Sequence, residues 1–251
     1  MRSTSRGCIR SSSSTPASSQ QEEAIQDRHE IRFSGSPSET LAEQAYILLE
    51  EMIVDRKLEP GQMISEGEIS RELGLGRTPV REAIARLKYI GFVEVHHRRG
   101  VLVSNLDPIR HLELLEVRRP LELDIARHII DRGTEDDVAE LDAIMGRVNQ
   151  AAERGERLLY FKAKRDLHDA EVRMARNSVL TATITSLHAQ SRRFWQAYEP
   201  TSSFKKGAVL HSRILDGIRK RAPDAAAAGV EDLFTFLQNI TIEVVRRSRF
   251  T

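Results

Sequence analysis

Residues 65–103 read SEGEISRELGLGRTPVREAIARLKYIGFVEVHHRRGVLV, and their pattern predicts two short helices joined by a tight turn. Ser65 is followed three residues later by Glu68, which is the spacing of a capping box at a helix start. Gly74 ends that first helix, because glycine adopts the left-handed geometry of a C-terminal cap without steric strain. A second helix is predicted to begin near Arg77.

The second helix of this stretch carries Pro79 in its first turn, where a missing backbone N–H is tolerated. Its apolar side chains recur at helical spacing, at Val80, Ile84 and Leu87. Arg77, Thr78 and Arg81 therefore lie mostly off the apolar stripe. Gly91 is predicted to stop the helix.

Residues 92–95 and 101–103 are β-rich, and residues 96–100 form the turn between them. Two helices followed by a hairpin is the order of a winged helix-turn-helix, whose second helix reads the major groove. Between Arg77 and Val103 there are six basic residues and two acidic ones, a local excess that favours phosphate binding through counterion release. A solvated helix face would explain a charge run alone, but here the charges coincide with the reading helix and the wing tip.

The same residues resemble a known family. From about Leu41 to Val103 the chain is similar, without gaps, to the N-terminal domain of GntR-family transcription regulators, above all in RTPVREAIARLKYIGFV followed by RRG. The resemblance implies DNA contacts from the reading helix and the wing tip, by Arg77, Thr78, Arg81, Arg99 and Gly100. Two positions depart from the family pattern and receive no contact: Gly67 replaces an arginine, and Gly76 replaces a capping serine or threonine.

The chain has 251 residues with a net charge of +1, and 40% of its residues are hydrophobic. This length allows a domain of about 65 residues and a larger one of about 150. An aromatic content of 5% favours helices over a β-sandwich. Cys8 is the lone cysteine, which excludes an internal disulfide framework and indicates a reducing cytoplasm. No apolar run approaches the roughly 18 residues of a membrane helix, so no membrane partner is expected.

Three segments are predicted along the chain. Residues 1–36 are Ser-rich without apolar periodicity, which predicts a disordered tail. Residues 37–104 form the winged domain, whose first helix begins at Ser38. Residues 108–250 show about six amphipathic helices joined by short loops and no convincing strands. The expected fold class is therefore mainly α: a winged helix-turn-helix domain followed by an all-α antiparallel helical bundle.

The second domain resembles the C-terminal domain of the FadR subfamily of GntR regulators, an all-α bundle that senses ligands. Three segments carry the resemblance in the expected order: Arg118-x-x-Leu121-Glu122, then His168 with Asn177 nine residues later, then His211-x-x-Ile214-Leu215-x-x-Ile218. The resemblance implies that this domain binds a small effector and forms the dimer.

Many members of this subfamily hold a divalent metal in the bundle with one aspartate and three histidines. Here His168 and His211 match two of the histidines, whereas Lys164 stands at the aspartate position and Leu233 at the third histidine. An ammonium four residues before His168 would repel a dication. No bound metal is therefore expected. The alternative is zinc or nickel held by His168 and His211.

Lys164 is expected instead to hold the acidic group of a small effector as a point charge. The other candidate effector-binding residues are the polar side chains Arg118, His168, Arg192 and His211. A rival interpretation is that Lys164 only forms an ion pair with Glu122 or Asp166.

Helical spacing alone supports two more polar residues of the bundle as candidates. Further polar candidates for its cavity are His188 and Arg193. Core or dimer-interface aromatics are expected at Phe194, Trp195 and Tyr198. Surface histidines are expected at His111 and His128.

The leading functional interpretation is a cytoplasmic, sequence-specific transcription repressor controlled by a small acidic metabolite, a carboxylate. The resemblance implies a homodimer on a two-fold double-stranded DNA operator. The second class is an enzyme, such as a hydrolase with a metal on His168 and His211. The sequence has no nucleophile motif, no H-E-x-x-H and no Gly-rich phosphate loop. The third class is a winged-helix module that binds only proteins, against which the retained Arg77 and Arg81 argue.

Overall fold

The computed structural model describes residues 40–248, which form nine α-helices and three short β-strands. The predicted tail, residues 1–36, and the predicted helix start at Ser38 lie outside the described residues. None of the helices within 40–248 has the length and apolar character needed to cross a bilayer.

The winged part occupies the first third of the described chain. Its elements are α1 (Leu41–Val54), β1 (Met63–Ile64), α2 (Glu66–Leu73), α3 (Arg77–Tyr89), β2 (Val93–His96) and β3 (Gly100–Val103). Strand β3 lies between β1 and β2 and is antiparallel to both, so Val101 pairs with Ile64 on one side and Val95 on the other. The sequence predicted only β2 and β3 of this sheet. It did not indicate β1, because a strand of two residues is too short to show alternating apolar and polar side chains.

Local chemistry sets the ends of these elements. Ser65 Oγ accepts a hydrogen bond from the Glu68 backbone N at 3.2 Å, and the Glu68 carboxylate accepts one from the Ser65 backbone N at 2.8 Å. Gly74 ends α2 in the left-handed conformation, with φ +65°. Gly100 has φ +117°, and a Cβ there would lie 2.7 Å from the carbonyl oxygen of Ile64. Only glycine lets β3 approach β1 this closely.

A continuous apolar core holds the winged part together. The buried side chains of α1, α2, α3 and the sheet include Ala45, Leu49, Ile53, Ile69, Val80, Ile84, Leu87, Phe92, Val101 and Val103. One further member, Ala189, belongs to the bundle and is 0% exposed. The winged part and the bundle therefore share buried surface.

Six helices form the bundle: α4 (Pro108–Arg132), α5 (Glu135–Arg154), α6 (Arg157–Met174), α7 (Ser178–Tyr198), α8 (Phe204–Arg219) and α9 (Pro223–Ser248). A short 3₁₀ turn, Thr201–Ser203, precedes α8. Side-chain caps fix several starts: Asp107 accepts from the first amides of α4, Thr134 and Asp137 form a capping box, and Asn177 caps α7. The expected fold class, a winged helix-turn-helix followed by an all-α bundle, is confirmed.

Candidate nucleic-acid interface and buried polar cluster

The reading helix α3 presents a polar face to solvent. Arg77, Thr78 and Arg81 are exposed, whereas Val80, Ile84 and the rest of the apolar stripe are buried. Arg81 donates from Nε to Glu66 Oε2 at 2.7 Å, so this side chain is held against α2. As the sequence predicted, Gly76 gives α3 no side-chain cap.

Arg86 shows that not every basic residue of this stretch is available to a ligand. Its guanidinium lies 2.5 Å from Glu43 Oε2 and 4.0 Å above the ring of Tyr46, both on α1. Hydrogen bonding to Glu43 raises the pKa of Arg86. This arginine fastens α3 to α1 rather than extending the free basic surface.

The wing turn between β2 and β3 carries exposed arginines at its tip. Arg98 adopts a left-handed conformation with φ +62°, and the Arg99 backbone N donates to the His96 carbonyl oxygen at 3.1 Å. Arg99 is exposed. Of the five residues predicted to contact DNA, three lie on the reading helix and two on the wing. The four with side chains are exposed, and Gly100 adopts a backbone conformation that favours glycine.

A cluster of charged and imidazole side chains lies inside the bundle, and it joins four helices. Arg118 of α4 donates from Nε to Glu122 Oε1 at 2.7 Å. His188 of α7 binds the same carboxylate oxygen through Nε2 at 2.8 Å. The His168 ring of α6 lies 4.6 Å from the His188 ring and 5.7 Å from that of His211 on α8. We call these five residues, together with Lys164, the polar cluster.

Lys164 lies one helical turn before His168 and is 5% exposed. Its ammonium is 3.8 Å from Glu199 Oε2, which is longer than a hydrogen bond. The alternative ion pairs of Lys164 with Glu122 or Asp166 are wrong. Glu122 binds Arg118 and His188 instead, and Asp166 pairs with Arg147 at 3.1 Å. The sequence missed Glu199, since the two residues are brought together only by the packing of α6 against the end of α7.

The electrostatics of the cluster follow from its burial. Desolvation, followed by repulsion from neighbouring charges, lowers the pKa of His168 and of His211 well below the usual value, so both rings are neutral. Burial also lowers the pKa of Lys164, and the charge of Glu199 opposes that effect. Burial alone would raise the pKa of Glu122, but Arg118 and His188 hold it at about 2.

Two small cavities flank the cluster. One, of about 20 Å³, is lined by Arg118, His168, His211 and Leu233 among others. The other, of about 10 Å³, is lined by Lys164, Ser191, Arg192 and Trp195 and shares the arginine and both histidines with the first. Each has room for no more than about one water molecule. A metabolite therefore enters this region only if side chains move.

The residues present do not fit a divalent metal. Arg118 Nη2 lies 3.4 Å from Nε2 of His168, so a cation already faces that ring nitrogen. Lys164 adds a second cation, and Leu233 is a buried apolar wall. Within residues 40–248 no group of three His, Cys, Asp or Glu side chains is placed to hold an ion.

Arg192 and Arg193, neighbours on α7, both reach the winged part. Arg192 lines the smaller cavity and also binds Glu50 of α1 at 3.1 Å. Arg193 donates to the Ser104 carbonyl oxygen instead, so its assignment to the cluster cavity is wrong. His188, by contrast, does belong to the cluster.

The two histidines assigned to the surface are the other corrections. His111 is buried and stacks on Phe194 with ring centroids 3.8 Å apart, and His128 is half-buried. Helical spacing could have indicated the burial of His111, since it precedes the buried Leu115 by four residues and lies on the same helix face. Phe194 and Trp195 are buried, as predicted for core aromatics.

Two family models match the chain. "Bacterial regulatory proteins, gntR family" covers residues 41–103, and "FCD domain" covers residues 113–236. The transcriptional repressor RspR of Escherichia coli strain K12 is 26% identical over 215 residues, which are 85% of this chain and 92% of RspR. The Nta operon transcriptional regulator of Aminobacter aminovorans is 29% identical over 181 residues, or 71% of this chain and 84% of that protein.

Solved structures show the same architecture. Escherichia coli McbR/YncC superimposes with a TM-score of 0.74 at 18% identity, covering 82% of this chain and 99% of McbR/YncC. At this identity the likeness establishes the fold alone.

Proposed function

The chain belongs to the GntR family of bacterial regulatory proteins, with an FCD domain after its winged helix-turn-helix, and we propose that it is a homodimeric repressor released by a small acidic metabolite. That it is a DNA-binding transcription regulator with an effector-binding domain, and not an enzyme, follows from the family. The repressor role, the dimer and the acidic effector are the proposed parts. Because such a regulator acts on chromosomal DNA, we expect it in the cytoplasm. We assign residues 37–104 to the winged DNA-binding domain and residues 108–250 to the effector-binding and dimerisation domain.

DNA reading is assigned to Arg77, Thr78 and Arg81 on α3, with Arg99 and Gly100 at the wing. The support is that Arg77, Thr78, Arg81 and Arg99 are exposed and that Gly100 follows the wing turn, on elements that this fold presents to the two grooves. A duplex selected from a random library provides the ligand for a fluorescence anisotropy titration. Arg77→Ala should lose binding while the melting temperature is unchanged. Arg127→Ala, which removes an exposed arginine of the bundle, is the matched control.

The dimer is supported by the rule that helix-turn-helix proteins bind two-fold operators as dimers. The chain mass is 28.4 kDa. Sedimentation equilibrium should therefore give about twice that mass, and the selected duplex should contain an inverted repeat. A monomer that binds a single half-site would contradict this part of the proposal.

The acidic effector is assigned to Lys164. The observation that carries this proposal is a buried ammonium whose nearest carboxylate, on Glu199, lies beyond hydrogen-bond distance. A buried charge that is poorly paired favours an added counter-ion. Nearby, His168 Nδ1 and Ser191 Oγ have no hydrogen-bond partner in the part of the chain that the structure describes. A carboxylate that displaces Glu199 would therefore gain several donors.

Binding would reach the winged part through Arg192, which touches both the smaller cavity and Glu50. An acidic ligand beside Arg192 would compete with Glu50 for the guanidinium. Loss of that bond would loosen α1, the helix that supports the reading helix.

A thermal-shift screen of small carboxylates and sugar acids, with and without zinc or nickel, tests the effector assignment. A ligand that binds only the folded state raises the melting temperature by mass action. Lys164→Met should abolish the shift from the acidic ligand, whereas Lys162→Met, an exposed lysine of the same helix, should keep it. A shift that needs the metal and persists in Lys164→Met would support the alternative with an ion on His168 and His211.

A further inference from the structure

A cleft separate from the polar cluster lies where the winged part meets the bundle. Its volume is about 350 Å³, and it is lined by the start of β2, the connection before α4, the first turns of α4, and α7. Small-molecule sites in proteins typically occupy about 300–1,000 Å³. The cleft, unlike the cavities at Lys164, is therefore large enough for a metabolite without rearrangement.

Arg193 is the buried cation of this cleft. It is 4% exposed, donates to the Ser104 carbonyl oxygen, and lies 5.4 Å from the ring centre of Phe92. Its Nε has no hydrogen-bond partner, and no carboxylate forms an ion pair with Arg193 within residues 40–248. Burial lowers the pKa of Arg193 to about 10, which leaves the guanidinium charged at neutral pH. A buried, charged guanidinium without an acidic partner favours an anionic ligand.

His111 supplies a second polar group to the same cleft. The ring is 4% exposed and stacks on Phe194, and its Nε2 has no hydrogen-bond partner in the described chain. Burial lowers the pKa of His111 to about 3, so the ring is a neutral imidazole. A neutral imidazole offers one hydrogen-bond donor or acceptor without adding charge.

Arg110 is the exposed cation of the cleft. Its guanidinium lies against the backbone of Gly91, where a Cβ would come within 3.2 Å of Nη2. Gly91 joins the end of the reading helix to β2. Arg110 thus extends from the bundle to the turn that follows the reading helix.

Neither acidic residue of the cleft, Asp107 or Glu94, forms an ion pair with these arginines among the described residues. Asp107 Oδ1 already accepts hydrogen bonds from the backbone amides of Ile109 and Arg110, at 2.8 and 3.4 Å. Glu94 is exposed and lies 3.5 Å from His96 Nε2. The apolar walls come from Phe92, Leu114 and Phe194.

We propose that this cleft is a second ligand site, which binds a small carboxylate with an apolar body. Arg193 and Arg110 bind the carboxylate group, and Phe92, Leu114 and Phe194 contact the apolar body. Such a ligand would contact both the winged part and the bundle, so it would influence the position of the winged part relative to the bundle. The site is independent of Lys164.

Benzoate is the probe, and the neutral benzamide is its matched comparison. Isothermal titration should show benzoate binding to the full chain about tenfold or more tightly than benzamide, because benzamide cannot make the charge-assisted interaction. Arg110→Met, which replaces an exposed side chain, should weaken benzoate binding by a similar factor with the melting temperature unchanged. Arg193→Gln should weaken it further.

The controls separate this site from the polar cluster. Arg127→Met should bind benzoate as the wild type does, and Lys164→Met should retain the component of benzoate binding that Arg110→Met weakens. Equal binding of benzoate and benzamide, or unchanged binding in Arg110→Met, would overturn the proposal. So would a loss of benzoate binding in Lys164→Met, because it would place the ligand in the bundle. Failure of the wild type to bind benzoate at millimolar concentration would overturn it as well, with DNA binding by the same sample showing that the protein is intact.

Discussion

Arg81 of the reading helix donates from Nε to Glu66 Oε2 at 2.7 Å, and this pair bridges the two helices of the helix-turn-helix. Both side chains stay accessible, with 65% and 34% of their surface exposed. An exposed ion pair contributes only about 0–1 kcal/mol to stability. Releasing Arg81 from Glu66 for the proposed DNA contact would therefore cost little.

Glu66→Gln should strengthen operator binding, because it removes the carboxylate that competes with DNA for Arg81. The gain should be about fivefold at most, the worth of an exposed pair. Glu72→Gln, an exposed acid of the same helix, controls for the general effect of removing negative charge. Anisotropy titrations that show equal gains for Glu66→Gln and Glu72→Gln would mean that the pair has no influence on DNA binding.

Arg81→Ala should lower operator affinity by about 1–3 kcal/mol and relax the preference at one base pair, if the side chain contacts a base. The melting temperature should hardly change, since Arg81 is off the apolar stripe. Competition between duplexes that differ at single positions measures the preference. An unaltered base preference at reduced affinity would indicate a phosphate contact instead.

Arg99→Ala should weaken DNA binding most at low salt, because a wing-tip arginine acts through phosphates and the minor-groove potential. The slope of log affinity against log salt should fall by about one unit for each phosphate that the variant no longer binds. Arg127→Ala provides the reference slope. A wild-type slope in Arg99→Ala would place the wing tip away from DNA.

The double substitution Lys164→Asp and Leu233→His should create metal binding, with the ion displacing Arg118 from His168 Nε2, because it supplies both missing ligands beside His168 and His211. Leu233 lines the cavity next to His211, so its replacement projects into the cluster. Elemental analysis of protein purified without chelators should find well under one zinc or nickel per wild-type chain. Lys164→Asp alone should stay low as well. A stoichiometric metal in the wild type would refute the assignment of Lys164.

His111→Gln should make the protein less sensitive to acid. The pKa of His111 is about 3 in the folded state and about 6.5 when unfolded, so the unfolded chain binds the extra proton. The contribution of neutral His111 to the free energy of unfolding is fully present above pH 6.5 and is lost as the pH falls towards 3. The variant should reduce the slope of unfolding free energy by up to about 1.4 kcal/mol per pH unit in that window. Urea titrations from pH 7 to pH 4 measure it, with exposed His97→Gln as the control.

The parts that sequence could predict are those governed by neighbouring residues. The capping box of Ser65, the cap at Gly74 and the apolar stripe of α3 are local, and the structure has them. Strand β1 was missed because two residues show no alternation, and because it forms only against β3. The pairs Lys164–Glu199 and Arg192–Glu50 depend on tertiary packing, so no spacing in the chain indicates them. The DNA contacts of Arg77, Thr78, Arg81, Arg99 and Gly100 remain predictions.

Ala189 matters when the winged part, or headpiece, of one regulator is exchanged for that of a relative. This bundle residue fills a position inside the core of the winged part, where it is 0% exposed. A chimaera joined at the connection 104–107 would therefore place a foreign headpiece against a side chain that it did not evolve with. A larger residue at 189 would overpack that core, and a mismatched headpiece would leave a void. In the design of chimaeric biosensors, residue 189 should therefore be exchanged together with the winged part, although it lies more than eighty residues after the junction.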